Sequence, residues 1–368
     1  MNRLPGKRKI VWLAHEGNLS GANIAMLEYV DALRPEYDFH IILPHGGTME
    51  NELMQKQISC TVIHQYGWTA TPPWWNLMKW IRISFRSLMA VAATRRLIQK
   101  ENPDIVFTNT LIPFVAAFVA HRLHLPHVWW IHEFGEEHFG FKIGWGNQQW
   151  GFRRMQQWSK LIIGNSEAVA KHFSKLIPGA NVRRLYQPVS WNATSVIVPG
   201  KVANFLMFGL ITPSKGHLEV LQAIVAIKEK QQAVPNLHIK GPCENNTYLN
   251  ELIQFISRHQ LEGQVAIETG FFKKEEVMPM YGALIVASGF EAFGRVIVEA
   301  NKAGIRVIVK NSGGMPELIN ETNGIVYNDV EELMDILSGK KSLPNTVIRQ
   351  QYNEADEIQQ LKTWLTAI

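Results

Sequence analysis

LIVASGFEAFGRVIVEANKAGIRVIVK, residues 284–310, holds an apolar run, a loop, a segment of helical period and a second apolar run. LIVASG and IRVIVK are apolar along their length rather than at alternate positions, as strands covered on both faces are. Between them the pattern from Gly294 to about Ala303 fits one helix. A strand, a crossover helix and a second strand of this kind build a parallel sheet with helices on its faces.

The same alternation runs outward in both directions. Toward the N-terminus come KIVWLAH, a helical pattern from about Ala22 to Leu33, then FHIILP, DIVFTN, HVWWIH and KLIIGN. Periodicity breaks at YQPVSWNATSVIVPG, residues 186–200, where proline, glycine and small polar residues predict a linker. It restarts with VANFLMFGLI, NLHIKG, QVAIETG, LIVASG, IRVIVK and GIVYN. A chain of 368 residues exceeds what one core usually serves, so two doubly wound sheets are expected, with ligands at the carboxyl ends of their strands. The last helix, near Glu354 to Ala367, is amphipathic enough to pack on either half.

Composition narrows the partners. Hydrophobic residues at 46% and charged residues at 19% describe an ordinary globular interior. A net charge of +5 favours anionic partners, with phosphates, acidic lipids and nucleic acid all open at this point. Nucleic acid has least support, because the basic residues are dispersed and no recognition motif occurs. Cys60 and Cys243 are too few and too far apart for a disulfide framework or a thiolate metal site, which fits a reducing cytoplasm. The apolar run near the N-terminus is too short for a signal sequence or a membrane span.

Within the opening stretch, Glu291 lies in the loop and Glu299 inside the helix, with seven residues between them. A helix start offers unpaired N–H groups and partial positive charge, a natural seat for a phosphate, and Gly294 lets that phosphate approach. The glutamates then reach hydroxyls on either side of the anion. Read alone, the pair equally describes a capped surface helix with solvated carboxylates. A second anion site is suggested by FGLITPSKGHLEVL, residues 208–221, where Lys215 stands at a helix start; a plain surface lysine is the alternative. A third glycine loop, HEGNLSGAN, ends in Gly21, Ala22 and Asn23, and neither a dinucleotide fingerprint nor a P-loop occurs in the chain. His132 and His138 in HEFGEEH are six apart rather than four, so they do not form a zinc helix motif.

Phe208 to Gly216, Thr269 and Gly270, Glu291 to Glu299, and SGGMPELI at 312–319 together resemble family 4 of the retaining glycosyltransferases. The likeness is strongest from about Gly209 to Asn328. It implies the α/β GT-B fold, two Rossmann-like doubly wound domains facing each other across a cleft. Residues 1–188 would form the acceptor side, 189–350 the nucleotide-sugar donor side, and 351–368 a C-terminal helix able to cross back to the first domain. The resemblance assigns Glu291 to donor-sugar hydroxyls and Glu299 to the ribose. It assigns the backbone around Phe293 and Gly294, with Lys215 and the Gly209 loop, to the diphosphate, and Thr269 and Gly270 to the vicinity of the base. His132 would lie near the donor sugar as a catalytic group beside Glu291 and Lys215, with Gly21 and Glu133 on the acceptor side. Where the family carries an arginine after the glycine matching Gly209, this chain has Leu210, and Arg295 is the candidate substitute. The implied chemistry retains anomeric configuration and needs neither cofactor nor metal. The departure at Leu210 keeps a second reading in view, a non-catalytic subunit that binds a sugar nucleotide.

One N-terminal stretch stands apart. Residues 68–100 interleave Trp74, Trp75 and Trp80 with Lys79, Arg82, Arg86, Arg95 and Arg96. This suits an interfacial helix on anionic lipid, and with it a lipid-linked acceptor and a peripheral position on the membrane; it equally suits a crossover helix with a buried stripe and a solvated basic face.

Overall fold

The computed structural model describes residues 6–65, 67–69, 77–191 and 204–368, and gives only the backbone of 77–87, 138, 139 and 204. Most of the linker expected at 186–200 lies outside the described residues, as do Trp74, Trp75 and the side chains of Lys79, Trp80, Arg82 and Arg86.

The chain divides into two compact units, residues 1–188 with 354–368, and residues 189–353. In the first, seven strands run in chain order: β1 (Arg8–Leu13), β2 (Tyr37–Leu43), β3 (Ser59–Val62), β4 (Ile105–Asn109), β5 (His127–Ile131), β6 (Leu161–Gly164) and β7 (Val182–Arg184). Their spatial order is β3-β2-β1-β4-β5-β6-β7, every pairing parallel. The second unit holds β8 (Asn204–Phe208), β9 (Asn236–Gly241), β10 (Val265–Thr269), β11 (Ala283–Val286), β12 (Arg306–Lys310) and β13 (Gly324–Tyr327). These lie in the order β10-β9-β8-β11-β12-β13, again all parallel. Both sheets therefore reverse direction of growth once, between β1 and β4 and between β8 and β11. At such a point the loops leaving adjacent strands diverge and open a crevice at the carboxyl edge.

The strands legible as unbroken apolar runs are the buried ones; β1, β4, β5 and β6 are buried almost throughout. The two not anticipated, β3 and β7, are sheet edges whose residues are partly exposed, so their sequences carry no apolar run. Helix starts follow local chemistry. Ser20, Ser166, Asn245 and Asp329 each turn a side-chain oxygen to the amide three residues on, capping the helices Gly21–Leu33, Glu167–Leu176, Asn246–Arg258 and Val330–Leu337.

The last helix, Glu354–Ala367, belongs to the first unit. Leu361, Trp364 and Leu365 join the core of Trp12, Tyr29 and Trp130, and Glu357 is clamped between the Arg184 guanidinium and the Tyr186 amide, 2.9 Å away. Among the described residues, no helix is long and apolar enough to cross a membrane.

Candidate functional site

The second sheet's reversal point is flanked by the loop after β8, residues 209–216, and the loop after β11, residues 287–294. They are tied together, the Gly289 amide donating to Ser214 O at 2.9 Å. Gly216 has φ +73°, and a Cβ there would lie 2.1 Å from Ala287 O, so only glycine lets the loops touch. Gly216→Ala is expected to lower unfolding stability by about 2 kcal/mol or more through clash and left-handed strain. Urea titration of the variant would show this as an earlier unfolding midpoint.

Each loop contributes one charge to the crevice. Lys215 ends the short turn Pro213–Lys215 just before the helix His217–Glu229, and its Nζ stands 2.7 Å from Glu291 Oε2. Both side chains remain partly accessible to solvent. Glu291 is held by its backbone, its carbonyl accepting the Gly314 amide at 2.8 Å. Gly313, at φ +56°, allows that approach, for a Cβ there would sit 2.0 Å from the same oxygen. This explains the glycine pair of SGGMPELI, whose Ser312 hydroxyl also bonds Gly289 O at 2.6 Å.

The loop ends at Gly294, φ +95°, which caps the helix Arg295–Lys302 and leaves its first amides at the crevice. Phe293 is buried and packs on Tyr352, its ring centroid 6.1 Å away. Glu299, one turn into that helix, is only 9% exposed and pairs with Lys274 at 2.5 Å. Lys274 opens the turn Lys274–Val277, a few residues after Thr269 and Gly270 at the end of β10. Gly270, its amide 3.0 Å from Gly241 O, continues the carboxyl edge toward Gly209, whose amide reaches Lys240 O at 3.0 Å. Thus Gly209, Lys215, Thr269, Gly270, Glu291, Phe293, Gly294, Arg295 and Glu299 all stand along one edge of the second sheet. The sequence reading missed Lys274, because nothing local marks one lysine among the charges of KKEE at 273–276.

Beneath Lys215, His217 is buried and its Nδ1–H donates to Thr212 O at 3.2 Å. Burial pushes its pKa down to about 4. The unfolded chain binds a proton near the ordinary value of about 6.5 that the folded chain refuses, so stability is full above 6.5 and is lost as pH falls toward 4, by about 3 kcal/mol. His127, fully buried between Thr108 and Ser159 in the first unit, is pushed the same way, to about 3. Unfolding midpoints measured in urea between pH 7 and 4 should fall with pH, and His217→Gln should flatten the part due to the second unit.

In the first unit, His132 follows β5 with both ring nitrogens held. Its Nε2 lies 2.8 Å from Asn109 Oδ1 and its Nδ1 2.8 Å from Gln187 Nε2. An amide oxygen only accepts and an amide nitrogen only donates, so the imidazole is the neutral Nε2–H tautomer. Asn109 passes the connection to the glycine loop, donating to Ala22 O at 3.1 Å beside Gly21, the exposed first residue of its helix. Glu133, expected on the acceptor side, is turned inward: its oxygens accept the amides of Leu111, at 2.6 Å, and His132, at 3.0 Å. Burial raises its pKa, and its task in this unit is to set the turn that carries His132. Asn109 and Gln187 were invisible to the sequence reading, since they meet His132 from 23 and 55 residues away.

Comparison with known proteins agrees with this geometry. Residues 195–340 match the model for glycosyl transferases group 1, and residues 19–190 match that for glycosyltransferase family 4. An uncharacterized glycosyltransferase of Methanocaldococcus jannaschii is 32% identical over 125 residues, 33% of this chain and 30% of its own. Mannosylfructose-phosphate synthase of Agrobacterium fabrum is 26% identical over 180 residues, 45% of this chain and 38% of its own. The matched part thus spans about a third of each relative's own length. Among solved structures, HepE of Anabaena in complex with UDP superposes with a TM-score of 0.75 at 20% identity, covering 98% of this chain and 100% of that one. At that identity the likeness carries the fold. With the two family matches lying one on each unit, the chain belongs to the GT-B glycosyltransferases of family 4 and group 1.

Proposed function

We propose that this chain is a metal-independent retaining glycosyltransferase. It would move a sugar from a nucleotide-sugar donor to a glycan or lipid-linked acceptor in cell-surface polysaccharide or glycolipid synthesis, in the cytoplasm or on the inner face of the membrane. The observation that carries the reading is the Lys215–Glu291 pair across the second sheet's reversal point, beside a glycine-capped helix start with Glu299 buried one turn in. An arriving diphosphate would take Lys215 and the amides of that helix start, releasing Glu291 to the sugar hydroxyls, while Glu299 and Lys274 meet the ribose. HepE has been solved with UDP-glucose as well as UDP, so uridine donors are the first to try.

In the reaction the bond from C1 to the diphosphate oxygen breaks, and its electron pair leaves with the nucleoside diphosphate. Lys215 and the helix dipole stabilise that charge. The acceptor hydroxyl attacks C1 on the same face, and its proton passes to the departing phosphate oxygen. No carboxylate of the crevice is assigned as a nucleophile, so a trapped covalent glycosyl-enzyme would contradict this course. His132, carried by the acceptor-side unit, would serve the donor sugar, where its Nε2–H can exchange Asn109 for a substrate oxygen.

The test is thermal-shift stabilisation by a panel of nucleotide sugars and diphosphates, followed by transfer assays. A ligand at a hundred times its Kd should add about 2.7 kcal/mol. Stabilisation by one donor class with product formation supports the proposal. Leu210 favours a second reading, a subunit that binds without turnover, and affinity with neither hydrolysis nor transfer would select it. No stabilisation by any donor would overturn both. Peripheral attachment is tested by flotation with anionic and zwitterionic liposomes, and association with neither would remove it.

A further inference from the structure

A second site lies in the first unit, apart from the residues of the candidate site above and partly within the stretch 68–100. The helix Val115–Arg122, the turn Gly144–Gly146, the helix Gln148–Trp158 and the long helix Leu77–Glu101 line a cavity of about 550 Å³ that is open to solvent on one side. That volume is within the range of small-molecule sites. Its walls are almost wholly apolar and chiefly aromatic, with Phe114, Phe118, Trp145, Trp150 and Trp158 contributing. His121, Arg122 and Arg154 are the polar members of its lining.

Two features make it a built site rather than a packing fault. Trp145 holds φ +52°, a conformation a bulky residue rarely accepts, and its backbone N–H donates to Trp68 O at 2.7 Å. This turns its indole edge-on to Phe114, 5.2 Å between centroids, as part of the wall. Local strain of that kind persists where surrounding structure imposes it. The second feature is charge. Arg122 and Arg154 both line the cavity, and among the described residues neither has a carboxylate at ion-pair distance. Arg154 lies 5.2 Å over the Trp150 ring and gives one bond to Gln157 Oε1 at 2.7 Å, which holds its guanidinium in place. At the same opening Leu88, with Met89 beside it, is 70% exposed on the long helix, with Arg95 and Arg96 further along.

We propose that this cavity binds the apolar chain of a phosphate-bearing lipid, with the phosphate held by Arg122 and Arg154. An apolar slot bordered by two guanidinium groups that have no carboxylate partner among the described residues matches a molecule with one hydrophobic tail and one anionic head, and guanidinium forks suit phosphate oxygens. A neutral apolar ligand would leave the arginines unused, and a free anion would leave the aromatic walls empty.

Dodecyl phosphate, dodecanol and inorganic phosphate, each titrated as monomer against the full chain, separate tail from head. Tryptophan emission reports entry, because three indoles form the wall. Saturable one-to-one binding of dodecyl phosphate, at least about tenfold tighter than dodecanol and undetected for inorganic phosphate, is expected. Arg122→Glu with Arg154→Glu should remove that advantage while leaving dodecanol binding in place. Val91→Trp, at a half-buried position of the lining, should block both without altering the rim charge. Flotation on phosphatidylglycerol vesicles then distinguishes the lipid's source: loss in the double variant supports a bilayer phospholipid, and retention supports a free amphiphile. No saturable binding of dodecyl phosphate, or equal binding by wild type and the double variant, overturns the site.

Discussion

Glu299→Ala is expected to weaken nucleotide-sugar binding about a hundredfold while leaving the fold intact. Glu299 is nearly buried, on the first turns of the helix that starts at the crevice, and Lys274 is its ion-pair partner. Hydrogen bonds from ribose hydroxyls to a carboxylate in such a place are worth about 1.5–3 kcal/mol each, so two account for the loss. The same substitution leaves Lys274, which is partly exposed, to solvent, so stability should fall by no more than about 1 kcal/mol. Calorimetric titration of the best donor beside a urea melt measures both. An unchanged Kd would remove Glu299 from the site. Glu299→Gln, which keeps the shape and an accepting oxygen, should lose less.

Lys215→Ala should act on turnover rather than stability. The Lys215–Glu291 pair is partly accessible on both sides, so its loss should cost the fold less than about 1 kcal/mol. Charge that develops only as the diphosphate departs is another matter, and removing one donor aimed at it typically costs about 10²–10³ in kcat. With Leu210 standing where the family has an arginine, Lys215 and the helix start would carry more of that work under the proposed function, which argues for the upper end. A steady-state comparison giving kcat down by that factor with a small change in KM would support the role. A rise in KM alone would make Lys215 a ground-state binder.

Glu291 to Glu299 show how far a sequence reaches here. A loop that leaves a buried strand and enters a helix at a glycine is a local pattern, and it places both carboxylates at the carboxyl edge of the second sheet without any tertiary contact. Gly313 is the contrary case. Its need for no side chain comes from Glu291 O, 2.0 Å from where a Cβ would lie, and that neighbour is distant in sequence. Glu133 is another: the resemblance puts it on the acceptor side, and only burial with two amide partners shows that its carboxylate faces inward.

What the sequence by itself determined is whatever hydrophobic period and local backbone chemistry decide: eleven strands, the helices between them, the family motifs, and the doubly wound class. Edge strands β3 and β7 escaped because half-exposed residues leave no periodic signal. Tertiary structure alone decided the pairings: Lys215 with Glu291, Lys274 with Glu299, His132 between Asn109 and Gln187, and the last helix on the first core. Such partners are set by strand order, which brings loops far apart in the chain to one carboxyl edge, and no local propensity encodes which side chains then meet.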